Sequence, residues 1–218
     1  MTQVNLPDPF FLIALLAGLS LAPFVVVMVT SYVKLVVVFS LIRNALGIQQ
    51  IPPNMVINGL AVILSIYIMA PVGYDMLDRI HHIDTKEKNV ETLKKISQEA
   101  KEPLKKFLIK HCSKRERSFF LRSAQKLWPK ERARNLRKDD LLVLVPSFAV
   151  SELTSAFQIG FLLYLPFIVI DLVISNILMA MGMMMVSPMT ISLPFKLLLF
   201  VLLDGWTKLT HGLVLTYY

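Results

Sequence analysis

Charged side chains are scarce over most of this chain of 218 residues. Residues 76–140 hold 19 of the 23 Lys and Arg and 10 of the 15 Asp and Glu, a net charge of +9. The rest of the chain has four basic and five acidic residues, a net charge of −1. Hydrophobic residues make up 55% and charged residues only 17%, whereas soluble domains are about a quarter charged. This composition indicates a membrane protein with one charged insert.

Cysteine and glycine are also informative by their scarcity. Cys112 is the only cysteine, which excludes an intrachain disulfide. All eight glycines lie outside residues 76–140, so the insert differs from its flanks in glycine as well as in charge. We therefore divide the chain into an N-terminal transmembrane helical hairpin at 1–75, a basic soluble helical insert at 76–140 and a C-terminal transmembrane hairpin at 141–218. The first nine residues carry no basic side chain, so we expect no cleavable signal peptide.

Long apolar runs predict an all-α integral membrane protein, because a membrane-spanning helix needs about 20 apolar residues. Four spans are predicted, at roughly 9–38, 55–77, 158–181 and 187–213. Prolines that lie in or beside these runs predict kinks, since each removes a backbone donor. They are Pro23, Pro146, Pro166, Pro188 and Pro194. The carbonyls they free need partners inside the membrane, which favours burial in an assembly or around a pore.

The insert is predicted to be helical. Apolar residues recur at spacings of three and four through residues 84–112, and Pro103 is expected to begin a second helix there. A third helical segment should run from Ser113 to Trp128 and stop at Pro129. The aromatic residues of the insert fall at the helical spacing of core positions rather than among the basic residues, so no nucleic-acid partner is predicted. The basic cluster that follows is suited to anionic lipid headgroups. It comprises Lys130, Arg132, Arg134, Arg137 and Lys138.

Six charged residues interrupt the apolar runs. They are Lys34, Arg43, Lys196, Glu152, Asp171 and Asp204. Because an isolated charge in lipid costs a few kcal/mol or more, these side chains should form pairs or face water. Glu152 with Lys196 is the expected pair, whereas Lys196 and Asp204 lie too far apart on one helix. The alternative is a proton relay through Asp171, Glu152 and Lys196.

Methionine is concentrated just before a proline. Six of the eleven methionines lie between residues 179 and 189, and Met183, Met184 and Met185 are consecutive. Three consecutive residues cannot share one helix face, and Gly182 and Pro188 predict a break in the helix. Flexible, unbranched side chains suit a constriction that yields to different passing chains. Ordinary lipid-facing or core methionines are the alternative.

No catalytic or nucleotide-binding motif is present, so neither an enzyme nor a bound cofactor is predicted. Five potential metal ligands in the insert lack any recognised zinc spacing, so no metal site is predicted. They are His81, His82, Asp84, His111 and Cys112.

Four stretches resemble the FliP/SctR family of type III secretion export-apparatus proteins. They are Val38–Asn54, Ser151–Pro166, Met181–Lys196 and Leu203–Trp206. The resemblance covers nearly all of residues 20–75 and 141–210, whereas the insert is similar mainly in length, helical character and Leu127-Trp128-Pro129. The lack of a leader and Ser187 before Pro188 resemble the virulence branch rather than the flagellar one.

This resemblance implies a homopentamer that assembles with the SctS and SctT subunits into an export gate of the bacterial inner membrane. Unfolded polypeptides would pass through the gate, and Met183, Met184 and Met185 would form its constriction. The family's acidic and lysine positions correspond to Glu152 and Lys196. The insert would face the periplasm, although basic loops usually remain cytoplasmic. A proton-coupled transporter or ion channel for small solutes is the alternative function, but no internal repeat supports it.

Overall fold

The computed structural model describes residues 9–48, 50–81, 90–183 and 185–218, and every regular element in these ranges is an α-helix. The predicted all-α fold class is confirmed. The helices are α1 (Pro9–Val29), α2 (Tyr32–Ala45), α3 (Asn54–His81), α4 (Val90–His111), α5 (Lys114–Leu127), α6 (Lys130–Arg134), α7 (Leu141–Ala180), α8 (Pro188–Leu202) and α9 (Gly205–Leu215).

Two helices, α3 and α7, are each long and apolar enough to cross a membrane. Two further spans are present if each of two bent pairs of helices is counted as one span. Residues 16–29 of α1 meet α2 at 68°, and α8 meets α9 at 60°. The predicted runs at 9–38 and 187–213 are therefore broken helices rather than straight rods.

Helix α7 corrects the predicted bounds of the third span. The expected segment 158–181 is the second half of one continuous helix of 40 residues from Leu141 to Ala180. Pro146 and Pro166 lie inside it without ending it, because neighbouring helical bonds keep the chain in register around a missing donor. At 1.5 Å per residue the helix is about 60 Å long, roughly twice the thickness of a bilayer's hydrocarbon core.

The insert is helical as predicted, but Pro103 does not begin a helix. It lies inside α4, which runs without a break from Val90 to His111. Helix α5 begins after Ser113, whose hydroxyl accepts a hydrogen bond of 3.3 Å from the backbone N–H of Arg115. Such an N-cap satisfies one of the unpaired donors of the first turn. Pro129 follows the end of α5, as expected.

Two apolar clusters hold the helices together. The first surrounds α2, whose Leu35, Val38 and Phe39 are fully buried against α3, α7 and α9. The second joins the insert to the membrane helices, because Leu108 of α4 packs with Phe148 of α7. The insert therefore packs directly on α3 and α7. Many large apolar side chains of α1, α3, α7 and α8 nevertheless remain exposed.

Candidate functional site

Lys34 and Glu152 form a buried ion pair between α2 and α7. The Lys34 Nζ lies 2.9 Å from the Glu152 Oε1, and the two residues are only 4% and 2% exposed. The Tyr217 hydroxyl donates a hydrogen bond to the other oxygen of Glu152. The Lys34 ammonium also lies 4.1 Å from the centre of the Tyr217 ring, a cation–π contact. Both charges thus have the partners that make a buried pair tolerable.

Close helix packing brings this pair together. Gly160 of α7 faces Leu41 of α2, and a Cβ added at Gly160 would lie 2.3 Å from the Leu41 Cδ1. Glycine thus lets the two helices approach closely, and a larger residue here would force the Leu41 side chain to move. On the other side of α2, the buried Ser31 hydroxyl donates a hydrogen bond of 3.1 Å to that of Ser65 in α3.

A second ion pair joins α7 to α8. The Lys196 Nζ lies 2.6 Å from the Asp171 Oδ2, and the Ser192 hydroxyl donates a 2.6 Å hydrogen bond to the Asp171 Oδ1. Lys196 is 2% exposed. Its ammonium also donates a 3.1 Å hydrogen bond to the carbonyl of Ala45, the last residue of α2. A cation at this end of a helix is stabilised by the unpaired carbonyls there.

The expected pairing of Glu152 with Lys196 is wrong within this chain. Glu152 pairs with Lys34 and Lys196 with Asp171. Sequence reasoning could not choose between these combinations, because the four partners lie on three helices, α2, α7 and α8, whose packing is set by apolar contacts. Asp204 is exposed and, among the described residues, forms no salt bridge. It occupies a left-handed backbone position (φ 51°) at the bend between α8 and α9.

Tyr217 is a site residue that the sequence did not reveal. It lies near the end of a weak apolar run, with no motif around it. In the structure its ring packs against Phe107 and His111 of α4, with centroids 6.1 and 5.0 Å away. Tyr217 therefore connects the insert to the Lys34–Glu152 pair.

The polar groups of the insert beside Tyr217 have shifted pKa values. Burial, with the nearby charges of Lys110 and Lys34, lowers the pKa of His111 from 6.5 to about 4. Burial raises the pKa of the Cys112 thiol. Both groups are therefore neutral at pH 7, as is suitable for an apolar contact. The Ser151 hydroxyl of α7 accepts a 3.0 Å hydrogen bond from the backbone N–H of Ser113.

The methionine-rich segment is a turn between α7 and α8, as the predicted helix break requires. Helix α7 ends at Ala180 with Gly182 in the left-handed conformation (φ 72°). The N–H of Gly182 donates to the carbonyl of Met179 and that of Met183 to the carbonyl of Leu178, each at 2.9–3.0 Å. These two bonds form a Schellman motif, which satisfies the last carbonyls of the helix. Helix α8 then begins at Pro188.

The side chains of this turn are exposed in the single chain. Met183 is 43% exposed and Met185 fully so, while Met184 lies outside the described residues. The described part of the turn thus presents flexible apolar side chains between two anchored helix ends. Their proposed role in a constriction stays a prediction.

The described residues contain no cluster of three or more His, Cys, Asp or Glu positioned to hold a metal ion. His82 and Asp84, two of the five potential ligands in the insert, lie outside the described residues.

A family model and several relatives match this chain over nearly its whole length. The model described as the FliP family matches residues 15–213. The chain is 61% identical over 215 residues to the Yop proteins translocation protein R of Yersinia pestis, with 99% of both chains covered. It is 54% identical over 208 residues to the hypersensitivity response secretion protein HrcR of Ralstonia nicotianae, covering 94% of this chain and 96% of that one. It is 50% identical over 204 residues to the virulence protein YscR of Salmonella typhimurium, covering 93% and 94%.

Proposed function

We propose, on the premise that this chain belongs to the FliP family, that several copies of it form a channel for unfolded proteins. The family relationship makes the chain a membrane-embedded subunit of the export apparatus of a virulence-associated type III secretion system. The family is not a known class of enzymes. The channel, its gate and the arrangement of its subunits are the proposal.

The observation that carries this proposal is the exposed methionine turn after α7. Its backbone is anchored at one end by the Schellman motif at Gly182 and at the other by the start of α8 at Pro188. Its side chains are free to adopt several rotamers. A ring of such turns from several copies would close an apolar constriction against ions, yet would adapt to polypeptides of varied sequence.

The buried ion pairs have a structural role in this proposal. Lys34 with Glu152 and Lys196 with Asp171 lock α2 and α8 to α7, and so hold the methionine turn at a fixed position. We propose that Asp204, which is exposed at the bend before α9, pairs with a neighbouring subunit instead.

Exposed apolar surface supports assembly with other chains. Phe157, Phe161 and Leu162 on α7 are more than half exposed, and such contiguous surface on a membrane helix needs lipid or protein to cover it. We propose that sister copies, five in all by family resemblance, and the SctS and SctT subunits cover it in the bacterial inner membrane. The insert at 76–140 would then project into the periplasm.

Replacing Met183, Met184 and Met185 with alanine tests the gate. We expect the variant to assemble normally but to leak ions, because three short side chains leave the constriction open. Whole-cell ion flux or single-channel conductance measures the leak, and a native gel of the extracted complex measures assembly. Met179→Ala with Met189→Ala, two methionines on the flanking helices, is the matched control and should not leak. If the triple variant assembled but showed no added conductance, the three methionines would not form the gate.

A further inference from the structure

An open groove of about 730 Å³ lies between α3, α4 and the end of the chain. Its floor is apolar and its rim carries hydroxyl and ammonium groups. The floor residues include Ile68, Val72, Phe107 and Val214, and the rim residues include Tyr67, Tyr74, Lys106 and Lys110. The groove adjoins the Lys34–Glu152 pair through Tyr217, which lines it, but the methionine turn contributes none of the residues that line it.

The length of the uncharged run in α3 places the groove at the level where this helix would leave a membrane. No charged residue occurs in α3 from Asn54 to Tyr74, and the first is Asp75. Twenty residues from Asn54 reach Gly73, and about 20 residues cross a hydrocarbon core. The lining residues on α3 run from Tyr67 to Asp75, so the groove extends from the hydrocarbon into the headgroup region.

The charges at the groove favour an anion. Lys106 and Lys110 are exposed on α4, one turn apart, and Asp75 is the one acidic side chain among the lining residues. Two acids of α4 are engaged elsewhere, since Glu99 pairs with Arg79 at 3.1 Å and Glu102 with Lys105 at 3.4 Å. Tyr67 and Tyr74 are about two-thirds exposed, and tyrosines are typical of the membrane–water interface.

We propose that this groove binds one anionic phospholipid. Lys106 and Lys110 contact its phosphate, and the tyrosine hydroxyls lie beside the headgroup. An acyl chain follows the apolar floor from Val72 towards Ile68, in the direction of the bilayer centre. Basic pockets beside membrane helices select anionic headgroups in this manner. A protein segment as occupant would use the floor but would not require the two lysines.

Native mass spectrometry of the detergent-purified protein tests this proposal. Dioleoyl phosphatidylglycerol and dioleoyl phosphatidylcholine, which differ in headgroup charge, are added in equal amounts. We expect one phosphatidylglycerol to be retained per chain in preference to phosphatidylcholine. In the Lys106→Ala, Lys110→Ala variant its affinity should fall about 25-fold, since each basic residue near a lipid surface contributes about fivefold.

Lys114→Ala with Lys126→Ala is the matched control. Both lysines are exposed on α5, so the variant removes the same charge from the same insert and should retain the lipid. Circular dichroism and thermal unfolding show that each variant is folded. Equal retention of the two lipids, or equal loss in the control variant, would overturn the proposal. The lipid proposal is independent of the proposed gate, because lipid retention can be measured whether or not the methionine variants leak ions.

Discussion

Burial determines the role of the charged residues in this chain. Lys34 and Glu152 are almost fully enclosed and have partners, whereas Asp204 is exposed at a bend. The sequence indicated which charges must either pair or face water, because a charge in an apolar run is costly when isolated. It did not indicate the partners, since Tyr217 and Ser192 carry no sequence signal for their roles.

Removing Lys34 should be strongly destabilising. In Lys34→Met, Glu152 stays buried without its counter-ion, at a cost of about 3–5 kcal/mol. The double variant Lys34→Met, Glu152→Gln removes both charges and should recover most of that loss. Thermal unfolding of the detergent-solubilised protein measures both variants. If the double variant were as unstable as the single one, the ion pair would not be the cause.

His111 should make stability depend on pH. Its pKa is about 4 in the folded protein and about 6.5 when unfolded, so between these values only the unfolded state binds the proton. The contribution of His111 is therefore complete above pH 6.5 and decreases as the pH falls towards 4.

In His111→Phe, the decrease in melting temperature from pH 7.5 to pH 5 should be smaller than in the unmodified protein. His211→Gln is the control, because His211 is exposed on α9. An identical pH dependence in His111→Phe and the unmodified protein would contradict the assignment.

At the scale of helices, apolar periodicity and proline positions predicted most of the elements. The helix break at the methionines was predicted from Gly182 and Pro188, and it is confirmed by the turn at these residues. Prolines were harder to interpret. Pro103 was expected to begin a helix but lies inside α4. Pro146 and Pro166, where kinks were expected, lie inside α7 without ending it.

The close contact of α2 with α7 should be sensitive to one methyl group. Gly160→Ala places a Cβ against Leu41, and overpacking of this kind costs about 1–3 kcal/mol. Adding Leu41→Ala removes the clashing atoms and should restore part of the stability.

A double-mutant cycle by thermal unfolding gives the coupling between the two positions. Gly59→Ala is the control, since a Cβ there meets no atom within 4 Å. Additive effects of Gly160→Ala and Leu41→Ala would show that the two side chains do not compete for space.

At the scale of the whole molecule, this chain has more apolar surface than its own fold can bury. The sequence predicted this excess from the long apolar runs, and the exposed faces of α1, α3, α7 and α8 are where it appears. What the sequence could not predict is the docking of the insert, whose Phe107 and Leu108 pack against α7. That contact joins residues far apart in the chain without any local pattern.

Assembly should therefore depend on single exposed residues of α7. Phe161 is 61% exposed, so Phe161→Gln should leave the folded chain intact but reduce the amount of high-mass complex on a native gel. Phe161→Leu keeps an apolar side chain and is expected to assemble. Unchanged assembly of Phe161→Gln would place the subunit contact elsewhere.

Helix α2 is clamped to its neighbours at both ends. Near its start Lys34 binds Glu152, and at its last residue the Ala45 carbonyl binds Lys196, which is held by Asp171. Glu152 and Asp171 lie about 28 Å apart on α7, at 1.5 Å for each of the intervening residues. Contacts of buried lysines therefore join α2, α7 and α8 at two separate levels. Tilting one of these helices relative to the others would strain at least one of these contacts. If the proposed gate exists, we expect its motion to be confined to the methionine side chains and the bend at Asp204, so that a passing chain would leave the three helices in place.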